Sequence, residues 1–149
     1  MESIGKHSLA LLDSNVAVYA LVKDYPTEKI HKRCLKLLER ALKGEIKTIF
    51  CLNPIMIVET FSALAKLLGI AEAEYRVASL LSSKRLAFIT VSRAASQSAV
   101  HWAKESEVPV NDAVMAAIAM EHAAVIYTAD ENHFKRLRKY GVTFRNPIK

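Results

Sequence analysis

The stretch Leu9-Ala10-Leu11-Leu12-Asp13-Ser14-Asn15 decides the fold. Four apolar residues in a row are too few for a helix, and too unbroken for a strand with one wet face. They read as a strand buried on both sides, ended by a polar turn, with a short helix running on to about Leu21. The pattern recurs along the chain. Thr48 to Leu52 is a second short apolar run, and Asn53-Pro54 then supplies an N-cap with proline at the first helical position of a helix reaching Leu68 and stopped by Gly69. Leu86 to Thr90 and Val125 to Thr128 read as strands three and four, and Val142 to Phe144 as a last short strand.

The intervening segments have helical periodicity. Thr27 caps a helix to Lys43 with Gly44 as its stop, a fourth helix spans about Ile70 to Ser83, and Ser92 caps a fifth to about Glu105. Val108-Pro109-Val110 is an extended connector, Asp112 opens a sixth helix, and Asp130-Glu131 lead into a basic seventh that ends before Gly141. Short apolar strands alternating with helices predict an α/β fold: a three-layer α/β/α sandwich around a central, mostly parallel sheet of four to five strands. The 149 residues suit a single domain covering 1–149, and there is no internal repeat, low-complexity tract or linker. In such folds ligands sit outside the carboxyl ends of the strands, so the polar residues that follow each strand are the ones to examine.

Two acids, Asp13 and Asp130, follow apolar strands directly, and a parallel arrangement brings both to one edge of the sheet. Each also has an ordinary explanation as an Asx turn or helix cap. Asp112 stands at the entrance of Ala113 to Met120, a run apolar on every side, where capping again suffices. Glu59 is different: it lies inside Ile55-Met56-Ile57-Val58-Glu59-Thr60-Phe61, too far past Asn53 to cap, and an acid on a mostly apolar helix needs a partner. Gathered at one edge, four carboxylates repel by about 4 kcal/mol per close pair at an effective dielectric of 20, so they call for a cation. All-oxygen ligation suits Mg2+ or Mn2+ and not zinc. His7, His31, His101, His122 and His133 show no metal-binding spacing and are assigned to surface or packing.

Composition bounds the partners. Twenty-one Lys plus Arg against fifteen Asp plus Glu leave a net charge of +6, which attracts polyanions such as nucleic acid. Lys29, Lys32, Arg33, Lys36, Arg40 and Lys43 line one side of the second helix, and Lys135, Arg136, Arg138, Lys139 and Arg145 follow Asp130; each group is either solvated or laid against phosphate. No apolar run approaches the ~20 residues of a membrane span. Met1 to His7 lacks the apolar h-region of a secretory signal, which predicts a cytoplasmic address. Cys34 and Cys51 have neither zinc nor disulfide spacing. The four glycines include no phosphate-cradling loop.

The motifs Leu-Leu-Asp13-Ser14-Asn15, Ile57-Val58-Glu59, Asn111-Asp112-Ala113 and Tyr127-Thr128-Ala129-Asp130 with His133-Phe134, in this order and spacing, resemble those of the PIN domain superfamily. Within it, they are most similar to the small prokaryotic ribonucleases of the VapC type. The resemblance implies metal-dependent RNA cleavage with Asp13, Glu59, Asp112 and Asp130 as catalytic metal ligands, direct or through water. Asn15 and Thr128 match the family's supporting polar positions, and Lys135, Arg136, Arg138 and Lys139 are candidates to hold RNA. It further implies an antitoxin partner and a homodimer. One departure is Asn132, where many members carry a further acid. Two other readings stay open at this point: a catalytically silent module of the same fold that binds RNA or protein, and phosphoryl transfer through Asp13 as nucleophile, which Asn15 disfavours by standing where a second Asp is wanted.

Overall fold

The computed structural model describes residues 8–149. The reading of Met1 to His7 lies outside the described residues. The elements follow in the order β1 (Leu9–Leu12), α1 (Ser14–Leu21), α2 (Glu28–Leu42), β2 (Ile49–Leu52), α3 (Pro54–Leu68), α4 (Ile70–Leu81), β3 (Ala87–Phe88), α5 (Arg93–Ser106), α6 (Val110–Glu121), β4 (Val125–Tyr127), α7 (Asn132–Arg136), a 3-10 turn (Arg138–Tyr140) and β5 (Phe144–Arg145). They build a three-layer α/β/α sandwich on a five-stranded sheet of order β3-β2-β1-β4-β5, in which every pairing is parallel.

The expected caps form. Thr27, Asn53 and Ser92 accept hydrogen bonds from the amides of Ile30, Met56 and Ala95, and Asp13 accepts from Ser14. These short polar side chains satisfy amides that a helix start leaves orphaned. Several boundaries differ from expectation. Pro109 takes the cap position of α6, so the helix begins at Val110 and Asp112 sits in its first turn instead of opening it. The basic segment after Asp130 keeps only five α-helical residues before tightening into the 3-10 turn. Gly141 ends that turn at φ +95°, a left-handed backbone conformation that favours glycine. The last strand is Phe144–Arg145 and not Val142 to Phe144. Val142 is spent on burial just outside the ladder.

β1 is the central strand, with Leu11 beside Cys51 on one side and Ile126 on the other. Ala10, Leu11, Leu12, Phe50, Leu52 and Ile126 are buried, and Ala113 and Met115 to Ala119 of α6 cover one face of the sheet. A smaller cluster of Val18, Val22, Leu64, Ala73 and Val77 joins α1, α3 and α4. Cys34 and Cys51 are free and buried. Burial pushes the Cys34 thiol up to about 11, which makes it a packing residue rather than a nucleophile. On α2 the buried stripe is His31, Cys34, Leu38 and Ala41, so His31 takes the packing role, with Nδ1 2.7 Å from the Tyr19 carbonyl. No helix among the described residues is long and apolar enough to cross a membrane.

Thr60 is fully buried and its hydroxyl has no hydrogen-bond partner among the described residues. Leaving such a group unsatisfied costs about 1–3 kcal/mol. Thr60→Val keeps the shape and removes the group, so it is expected to raise the melting temperature by roughly 2–4 °C per kcal/mol recovered. A lower midpoint in a thermal melt would show that the hydroxyl is satisfied in solution.

Candidate active site

The chain leaves β1 toward β2 and β3, then crosses back past β1 to β4 and β5. Neighbouring connections therefore diverge between β1 and β4. Asp13 leaves β1 and Thr128-Ala129-Asp130 leaves β4 at this crevice, and the Asp13 amide donates to the Tyr127 carbonyl at 2.9 Å.

Asp13 is 6% exposed. Its Oδ1 accepts the Ser14 amide at 2.8 Å and its Oδ2 accepts the Thr128 hydroxyl at 2.8 Å. Burial raises its pKa to about 6, aided by the charges of Asp112 and Glu59 and opposed by the Thr128 and Ser14 hydrogen bonds. Thr128 also accepts the Asp130 amide at 3.1 Å, and Asn15 accepts the Ala129 amide at 3.1 Å. Asn15 and Thr128 thus tie the end of β1 to the loop after β4.

Glu59 comes from the second turn of α3, half-buried. The Ser14 hydroxyl lies 3.3 Å from its Oε1 and the Asn111 amide donates to its Oε2 at 3.0 Å. These are the partners its apolar surroundings demanded. Asp112 meets His133, with Nδ1 2.6 Å from its Oδ2. Burial raises the Asp112 pKa first of all, with Glu59 and Asp130 adding to the rise and His133 working against it. Asp130 is the exposed member, its Oδ1 accepting the Asn132 amide at 3.2 Å. Capping therefore describes Asp13 and Asp130 in part, whereas Asp112 caps nothing and keeps only the favourable position in the first turn of α6.

The four acids act on one another electrostatically, yet among the described residues no three acidic, histidine or cysteine side chains converge closely enough to enclose an ion. The donor chemistry still fits a hard divalent cation that touches one or two carboxylates and reaches the others through water, the usual state of magnesium. Asn15 lends its side chain to Ala129 and Thr128 and offers no second acid beside Asp13, so the aspartyl-nucleophile reading lacks its partner.

Each candidate RNA-binding cation is drawn into a local contact. Lys135 lies 4.0 Å from Glu131, Arg136 donates to the Glu107 carbonyl, Arg138 covers the Phe144 ring, and Lys139 lies 3.9 Å from Glu105. His133, assigned from the sequence to surface or packing, is instead a partner of Asp112, and Ser14 and Asn111 carried no assigned role in the sequence. Their position inside the Asp13, Asp112 and Asp130 motifs was the available signal.

Fold and site together define a parallel α/β protein with an acidic crevice at its switch point. The chain belongs to the PIN domain family, whose model matches residues 10–140. No curated protein sequence matches it. Among solved structures, it is similar to a chain of VapBC2 from Rickettsia felis bound to a DNA fragment from its promoter, at 21% identity and TM-score 0.69, covering 93% of this chain and 98% of that one. FitAcB from Neisseria gonorrhoeae matches at 22% identity and TM-score 0.65, covering 93% and 97%. VapC20 of Mycobacterium tuberculosis, described as a sarcin-ricin loop cleaving toxin, matches at 15% identity and TM-score 0.67, covering 85% and 93%. At these identities the likeness is one of fold.

Proposed function

We propose that the protein is a divalent-metal-dependent endoribonuclease of the VapC type, with Asp13, Glu59, Asp112 and Asp130 as its catalytic acids. The observation that carries this reading is the buried Asp13 at the switch point of a PIN fold, within the field of Glu59 and Asp112. A bound Mg2+ or Mn2+ would act there as a Lewis acid on the phosphate and lower the pKa of an attacking water. The chain's own residues fix the acids in place: Ser14 and Thr128 hold Asp13, Asn111 and Ser14 hold Glu59, and His133 holds Asp112. No side-chain nucleophile is needed. The net charge of +6 supports a polyanionic substrate. The description of VapC20 as a toxin that cleaves the sarcin-ricin loop favours RNA, and the toxin-antitoxin complexes among the fold relatives support an antitoxin partner. A homodimer and a cytoplasmic location belong to the same reading.

The deciding experiment is cleavage of structured and single-stranded RNA with magnesium, manganese or EDTA. Metal-dependent cutting is expected. Metal-independent RNA binding with no cutting at all would replace this reading with that of a silent binding module.

His133 supplies a separate check. Outer partners that orient metal ligands are worth roughly 10–100-fold in metal affinity. His133→Ala is therefore expected to weaken manganese binding by about that factor in a calorimetric titration, while His133→Asn, which keeps a donor, loses less. Equal affinities for all three proteins would remove His133 from the site.

A further inference from the structure

We propose that Tyr25, braced by Tyr19, forms a nucleotide subsite on the Asp130 side of the molecule, in which an unpaired RNA base stacks on Tyr25 and a phosphate of the same strand meets Arg33. The proposal rests on the endoribonuclease reading and names how that site grips its substrate.

A closed path of hydrogen bonds links the elements that carry these residues. Asn15 binds the Ala129 amide, and Tyr19 stands one helical turn further along the same face of α1. The Tyr19 carbonyl meets His31 of α2 at 2.7 Å. Two residues on, Arg33 donates to the Ile148 carbonyl at 2.9 Å. The segment around Ile148 returns to the loop after β4, because Asn146 donates to Glu131 at 2.9 Å and Lys149 pairs with the same carboxylate at 2.9 Å. The path ties α1, α2 and the C-terminal segment to the Ala129 to Glu131 loop. The charge of Asp130 is among the influences that raise the Tyr19 pKa, after burial, Tyr25 and Cys34, which agrees with this placement.

The chemistry of the patch suits a nucleotide. The Tyr19 and Tyr25 rings are 5.9 Å apart and inclined at 60°, so they brace each other without stacking. Tyr25 is 37% exposed, and its capacity to stack on a planar group is not used on Tyr19. Unpaired bases are held in this way, on aromatic faces. Arg33 is exposed and, among the described residues, has a carbonyl partner and no acid. Lys135 and Lys139 after Asp130, by contrast, each lie against an acid, Glu131 and Glu105.

The test is fluorescence anisotropy with two labelled oligomers, a single-stranded RNA 12-mer and its abasic ribose-phosphate counterpart, both in EDTA so that nothing is cut. Tyr25→Ala is expected to weaken the base-bearing oligomer by roughly tenfold, the scale of losing one stacked base. It should leave the abasic oligomer unchanged, and Tyr25→Phe should bind as wild type. Arg33→Ala should weaken both oligomers alike and flatten the salt dependence. Wild-type binding of RNA by Tyr25→Ala, or an equal loss on both oligomers, overturns the stacking site; unchanged binding by Arg33→Ala overturns the phosphate contact. If the wild-type chain cuts RNA with manganese while these variants behave as it does, the subsite alone is wrong. If wild type neither binds nor cuts RNA, the endoribonuclease reading falls and the subsite with it.

Discussion

Asp13→Asn is expected to leave the chain folded and to reduce metal-dependent RNA cleavage by about 10²–10³-fold, the scale of losing one preorganised electrostatic group. Asp13 is the most buried of the four acids and lies in the field of Asp112 and Glu59. The amide keeps an oxygen for the Ser14 amide, and its nitrogen then faces Thr128. The Thr128 hydroxyl has an alternative acceptor in the Asp130 carbonyl, 3.0 Å away, and the Asn15 amide, which loses an acceptor 3.5 Å away at Asp13, keeps Thr128. Single-turnover cleavage of an RNA substrate, with circular dichroism as the folding control, measures the effect. Cutting at the wild-type rate by a folded Asp13→Asn would end the catalytic assignment. Asp130→Asn should be milder, because Asp130 is exposed at the rim and its principal hydrogen bond is to a backbone amide.

Without metal, the protein should lose stability as pH rises from about 4 to about 6. Unfolded Asp13 gives up its proton near 3.8, whereas folded Asp13 holds it to about 6. Between those values the folded state binds more protons than the unfolded one, so the unfolding free energy falls as pH increases and levels off above the folded value. The interval corresponds to roughly 3 kcal/mol at neutral pH. Asp112 is displaced in the same direction and adds to the slope. In EDTA at pH 7, Asp13→Asn should therefore melt several degrees above wild type, at about 2–4 °C per kcal/mol, and its melting temperature should vary less between pH 4 and 6. Manganese should raise the wild-type midpoint, by linkage of binding to the folded state. A metal-free Asp13→Asn that melts below wild type at pH 7, with the pH slope intact, would show that the carboxylate is not held against its preference for water.

Most of the framework was legible along the chain because it is local. A strand buried on both faces must be an unbroken apolar run, and Leu9 to Leu12 and Thr48 to Leu52 announce themselves that way. A short polar acceptor favours a helix start, which identified Thr27, Asn53 and Ser92. Boundaries shifted where neighbours decided them. Pro109 displaced Asp112 from the cap of α6, and the basic segment after Asp130 tightened into a 3-10 turn ended by Gly141.

The acids were legible as types and positions, since an Asp after a strand and a Glu inside an apolar helix are visible without coordinates. Their partners were not. His133 reaches Asp112 across 21 residues, Asn111 reaches Glu59 across 52, and Thr128 reaches Asp13 across 115. The sequence by itself determined a parallel α/β chain whose strands deliver acids to one edge. Only the tertiary structure decided which side chains hold those acids and how far burial lifts their pKa values. Hydrogen-bond partners and desolvation depend on separations in space, and the crossover from β3 past β1 to β4 creates those separations without leaving a local mark.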